Sequence, residues 1–129
     1  MKLLVVDDSS EFVEILSSTM KLSGHSVDGA NDGAEAIELL RNNAYDVVIT
    51  DAEMPRINGI EVCKFLRATF PNVYVIGMSG SSHALNDFKN AGADVCFFKP
   101  FSAYKMEEAI YHRSSHHTAA ISGIVGSSS

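Results

Sequence analysis

Lys2-Leu3-Leu4-Val5-Val6-Asp7-Asp8 opens the chain with an apolar run that stops at two adjacent acids, and Asp46-Val47-Val48-Ile49-Thr50-Asp51 repeats the pattern. Both runs are apolar at every central position, so each reads as a strand buried on both faces of a parallel sheet rather than as a half-solvated one. In open α/β sheets the carboxyl ends of the strands form the rim where ligands bind. Asp7, Asp8 and Asp51 therefore meet at that rim, and three carboxylates at one place repel unless a cation joins them. The two stretches together predict a metal site.

Strand signals recur at Lys2 to Asp7, Ser26 to Ala30, Val47 to Thr50, Val73 to Met78 and Val95 to Phe98, with helical periodicity between them. The first helix carries Phe12, Ile15, Leu16, Met20 and Leu22, with Ser9 or Ser10 at its start and Gly24 at its end. Asp32-Gly33 opens a second helix with Ala36, Ile37, Leu39 and Leu40, and Asn58-Gly59 opens a third with Ile60, Cys63, Phe65 and Leu66. The fourth, near Ala84 to Asn90, is polar, with Leu85 and Phe88 as its apolar anchors; the fifth starts after a Ser102 cap and uses Tyr104, Met106, Ala109 and Ile110. Such alternation predicts a doubly wound α/β fold, a five-stranded parallel sheet with helices on both faces, because each crossover is right-handed. Its rim carries Asp7, Asp8, Asp51, Glu53, Ser79, Gly80, Lys99 and Pro100.

Length and composition bound the rest. With 129 residues, 46% of them hydrophobic and 20% charged, the chain fits one domain with a proper core. We place that domain at residues 1–113; the small, polar, glycine-interrupted run 114–129 reads as a poorly ordered tail or linker. A formal charge of −6 argues against direct nucleic-acid binding and leaves no basic patch for a membrane, pointing to proteins and small phosphorylated or cationic species as partners. Cys63 and Cys96 are too few for a disulfide framework, and the opening apolar run is too short for a secretory signal or a membrane span, so a cytoplasmic location is expected.

Four motifs in order, Val-Val-Asp7-Asp8, Ile-Thr-Asp51-Ala-Glu-Met54-Pro55-Arg-Ile-Asn-Gly59, Met-Ser79-Gly80 and Phe-Lys99-Pro100-Phe101, resemble a response-regulator receiver domain of two-component signalling, over residues 2 to 112. Singly each is ordinary: Asp7 and Asp8 could cap a helix, Ser79 could cap the fourth, and Lys99 could be a solvated strand-end lysine. The resemblance implies a flavodoxin-like strand order 2-1-3-4-5 and a phosphoryl group accepted on Asp51. It assigns Asp8 and Asp51 as carboxylate ligands of Mg²⁺ (or Mn²⁺), Asp7 as a ligand through water, and the Glu53 main-chain carbonyl as a further ligand. A hard cation with few carboxylates suits that chemistry, since it offsets the repulsion between carboxylate and phosphoryl group. Lys99 and the Ser79 hydroxyl are implied to hold the phosphoryl oxygens. Gly80 leaves the approach open, Glu53 and Ser81 flank the hydrolytic water, and Pro100 is implied to follow a cis bond that aims Lys99 inward.

The implied partners are a histidine kinase or phosphotransfer protein and a downstream target or effector domain, with a monomer or a phosphorylation-dependent dimer as the state. Catalysis is limited to the chain's own phosphoryl transfer and hydrolysis, and the surface of helix 4, strand 5 and helix 5 changes. One position departs from the family: Cys96 stands where most receivers carry an aromatic or similarly bulky residue, so the usual relay lacks its bulky partner. Phe97 falls on the opposite face from Cys96, Phe98 is expected in the core, and the relay is expected to run through Gly80 to Asn90 instead. Three other readings use the same rim: a Mg²⁺-dependent aspartyl-phosphate phosphatase, a binding module that has lost phosphoryl transfer, and a flavodoxin-like carrier. The first lacks a second Asp two residues past Asp51 and the last a phosphate-cradling loop after the first strand. The five histidines read as surface residues, and Met54, Met78 and Met106 as packing.

Overall fold

A computed structural model describes residues 1–122, with side chains through residue 113. The expected tail at 114–129 therefore falls on undescribed side chains and, from residue 123, outside the described residues. Five strands, β1 (Lys2–Val6), β2 (Ser26–Ala30), β3 (Val47–Asp51), β4 (Tyr74–Ser79) and β5 (Val95–Phe98), alternate with α1 (Ser10–Leu22), α2 (Gly33–Asn42), α3 (Gly59–Thr69), α4 (Ser82–Ala91) and α5 (Ala103–Ser122). All pairings are parallel, in the order β2-β1-β3-β4-β5, as a doubly wound sheet requires. Val6 lies beside Ala30 and Thr50, and Asp51 beside Met78, so the strand ends are level.

Strand alternation divides the core in two. Leu3, Val5, Val47, Ile49 and Ile76 pack under Val13, Leu16 and Met20 of α1 and Met106 and Ile110 of α5. Leu4, Val6, Val48 and Val75 pack under Ala36 and Leu40 of α2, Val62, Cys63 and Leu66 of α3, and Phe88 of α4. Successive residues serve opposite faces, which is why both runs are apolar throughout.

Helix starts follow their capping residues. Ser9, Asp32, Asn58 and Ser81 each accept a backbone N–H from the first turn, and Asn58 with Glu61 forms a full capping box. The Ser102 hydroxyl accepts from the Lys105 amide at the start of α5.

Several expected core residues lie elsewhere. Ile15 and Leu22 are 61% and 90% exposed, because the stripe that faces the sheet runs Val13, Leu16, Ser17, Met20. Tyr104 is 73% exposed, one step off the Met106–Ala109–Ile110 face, and Val62 joins the α3 core unforeseen. Phe98 is 53% exposed as the last residue of the edge strand. His25, expected on the surface, is largely buried against α5, its Nε2 3.0 Å from Glu107. Among the described residues no helix is long and apolar enough to cross a membrane.

Candidate metal and phosphoryl site

Asp7 follows β1 directly and is buried; Asp8 beside it is exposed; Asp51 ends β3 with only 5% of its surface open. One carboxylate oxygen from each lies within 4.8 Å of the others, so the expected acid cluster is assembled. The Asp7 carboxylate is fixed from below by the Ser9 amide, 2.9 Å away. Asp51 is fixed by its backbone. A Cβ on Gly59, the first residue of α3, would come within 1.8 Å of the Asp51 carbonyl oxygen, so only glycine lets α3 start this close to the strand end.

Lys99 reaches the acids from the end of β5. Its ammonium donates to Asp7 at 2.5 Å and lies 3.0 Å from Asp51, with the Phe12 ring centroid 4.5 Å away. Its amide donates to the Ser79 carbonyl, which ties the two strand ends, and the Lys99-Pro100 peptide is cis. Burial pushes the Asp51 carboxyl up to about 6; the Lys99 hydrogen bond opposes this, and the Asp7 and Glu53 charges add to it. Burial alone would lower the Lys99 ammonium, but its bonds to Asp7 and Asp51 outweigh that and raise it. A carboxylate so poised, with another acid at each side, suits a bound divalent cation, and an all-oxygen donor set suits a hard one.

Ser79 ends β4 fully buried, and its hydroxyl donates to both Glu53 carboxylate oxygens, at 3.1 and 3.0 Å. It accepts the Ser81 amide at 3.0 Å. Ser81, rather than Ser79, is the cap of α4. A Cβ placed on Gly80 would meet nothing within 4 Å, so the approach is open around the glycine. A groove of about 580 Å³ lies beside the acids, lined in part by Asp8, Glu53, Pro55, Ser81 and His83.

Pro100 is exposed, and Cys96 is half-buried against the α2–α4 core with its Sγ 3.7 Å from the Leu85 carbonyl. Phe97 packs on the other face, stacked on Phe101 at 5.6 Å.

The sequence profile of the response regulator receiver domain matches residues 3–111. The chain belongs to the response-regulator receiver family. This receiver is 37% identical over 103 residues to response regulator MprA of Mycobacterium sp. (strain KMS), covering 78% of the chain and 45% of that protein. It is 37% identical over 128 residues to the transcriptional regulatory protein CpxR homolog of Haemophilus influenzae, covering 95% of the chain and 56% of that protein. The receiver thus spans about half the length of these curated relatives. Among solved structures, response regulator TrrA of Thermotoga maritima in complex with Mg(2+)-BeF superposes with a TM-score of 0.80 at 32% identity, over 86% of this chain and 96% of that one.

Three features of the receiver's site were not legible in sequence: the Glu53 carboxylate on the Ser79 hydroxyl, Phe12 beneath Lys99, and Gly77 as a socket. A Cβ on Gly77 would lie 2.5 Å from the Phe88 ring, the one buried side chain of α4. The signal available for Gly77 is a glycine inside an otherwise apolar strand, which marks a close approach.

Proposed function

We propose that this domain is a phosphorylation-activated switch that accepts a phosphoryl group on Asp51 from a histidine kinase or phosphotransfer protein. The observation that carries the reading is the convergence of Asp7, Asp8 and Asp51 within 4.8 Å, with the Lys99 ammonium 3.0 Å from Asp51. Asp8, Asp51 and the Glu53 main-chain carbonyl would hold Mg²⁺ (or Mn²⁺) directly, and Asp7 through water. Bound there, the cation supplies positive charge that offsets the repulsion between carboxylate and phosphoryl group.

The remaining work belongs to the chain. An Asp51 carboxylate oxygen forms a bond to phosphorus while the P–N bond of the donor phosphohistidine breaks, and the imidazole leaves with the bonding electron pair. Lys99, held by Asp7 and Phe12, follows the phosphoryl charge from a fixed base. The Ser79 hydroxyl takes a second phosphoryl oxygen. Gly80 and the adjoining groove leave room for the donor. Glu53 and Ser81 flank the path of hydrolytic water, so Glu53→Asn changes the dephosphorylation rate.

The output is a changed surface on α4, β5 and α5, read by a protein target or an effector domain in a cytoplasmic protein. The greater length of the named relatives supports the effector reading. Intact mass after acetyl phosphate and Mg²⁺ tests the proposal: the wild type gains one phosphoryl group and Asp51→Asn gains none. Size exclusion of both forms separates a monomer from a phosphorylation-dependent dimer. Equal labelling of the two proteins, or none of either, would sink the assignment of Asp51.

A further inference from the structure

The Ser79 hydroxyl has one proton to give, and in this structure Glu53 holds it. The hydroxyl donates into the fork of the carboxylate at 3.0 and 3.1 Å while accepting the Ser81 amide at 3.0 Å. A serine has a single O–H, so it cannot serve a phosphoryl oxygen on Asp51 without leaving Glu53. Glu53 sits two residues after Asp51 on the loop between β3 and α3 and is exposed, so no packing requires its carboxylate to be there. A bond to an ionised acceptor is the strong kind, which makes the competition real.

The second bond of the hydroxyl carries the consequence. Ser81 is the cap of α4, its side chain accepting the Ala84 amide at 3.3 Å. When the Ser79 oxygen turns toward Asp51 it leaves the Ser81 amide as well, so the first turn of α4 loses a backbone tether in the same motion. That helix has one buried side chain, Phe88, to resist a shift. Neither step uses the side chain at Cys96.

We propose that Glu53 is a positioning residue: its carboxylate latches the Ser79 hydroxyl in the resting state, and phosphorylation releases latch and α4 tether together. This rests on the reading that Asp51 takes the phosphoryl group. Release also returns the Glu53 charge to solvent, away from the new anion, so the latch cannot easily close again while the phosphoryl group remains.

The test is amide spectroscopy of the ¹⁵N-labelled protein, titrated with beryllofluoride in saturating Mg²⁺. It compares wild type, Glu53→Ala, Glu53→Gln, Ser79→Ala and the Glu53→Ala/Ser79→Ala double variant. Glu53→Ala should tighten beryllofluoride binding about tenfold by removing the competing acceptor. In the Ser79→Ala background the same change should matter less than about twofold, because there is no hydroxyl to release. Without metal, the Ser81 amide resonance should move in Glu53→Ala and stay near its wild-type position in Glu53→Gln, which keeps an acceptor oxygen. An equal gain in both backgrounds would show plain charge repulsion and overturn the latch; so would no gain in either. A wild type that takes up no beryllofluoride overturns the Asp51 reading instead, while the metal-free Ser81 resonance still reports whether the latch exists.

Discussion

Asp51→Asn should stabilise the metal-free protein at neutral pH, although it removes one carboxylate from the candidate site. Burial holds the Asp51 carboxyl at about 6 against an ordinary 3.8, so the folded state binds that proton more tightly than the unfolded chain does. A group raised in this way favours folding at low pH and loses that contribution as pH rises through the folded value. Above about pH 6 the ionised side chain is therefore a burden, and a gap of about two pH units at about 1.4 kcal/mol each sets its ceiling near 3 kcal/mol. Part of that is returned, because the amide gives Lys99 a poorer partner while Asp7 still holds it. A net gain of about 1–2 kcal/mol remains, or about 3–8 °C in melting temperature for a domain of this size. The assay is thermal unfolding of both proteins in chelator at pH 4, 5 and 7. The variant should melt higher at pH 7, and the difference should close toward pH 4, where both side chains are neutral. Added Mg²⁺ at about ten times its dissociation constant should then raise the wild type alone, by about 1.4 kcal/mol. A variant that melts lower than wild type at pH 7 without metal, or a difference that is the same at pH 4 and pH 7, would refute the reasoning.

Three further outcomes are expected. Gly77→Ala forces a Cβ into the Phe88 ring and should destabilise by about 1–3 kcal/mol in denaturant titrations, with the largest rise in amide exchange along α4. Gly59→Ala, whose Cβ would meet the Asp51 carbonyl oxygen at 1.8 Å, should displace the end of β3 and weaken Mg²⁺ binding about tenfold or more by calorimetry, even where the fold survives. Thiol labelling at pH 8 should modify Cys96 well before Cys63, because Cys63 is fully buried and its thiol is pushed up to about 11 by that burial, whereas Cys96 is only half-buried; equal rates would contradict the packing of α3.

The sheet and its rim could be read from residues because burial on both faces leaves strands apolar throughout, and because the turn from strand to helix starts on small capping residues. Ser9, Asp32, Asn58 and Ser102 cap where their residue types suggested. Helix faces were harder. Ile15, Leu22 and Tyr104 fit an apolar stripe by spacing, yet a helix buries only the arc that meets the sheet, and the sequence does not say which of two overlapping arcs that is. Phe98 failed for a different reason: a last residue on an edge strand has a neighbour on one side only. The acids and the lysine were legible as types at strand ends. The bond from Ser79 to Glu53 was not, since it joins two loops whose spacing in the chain, 26 residues, carries no periodic signal.

The pair between Lys99 and Asp7 closes a span of 92 residues, from just past the first strand to just past the last. A polypeptide still being made, or one clipped before β5, presents the three acids with no ammonium among them. Such a fragment carries the three acids but not the charge that steadies them, and contacts this distant in sequence are the last to be gained as a chain collapses. Completion of the acid and ammonium cluster is thereby tied to completion of the sheet, so a half-built copy holds the acids without their counter-charge.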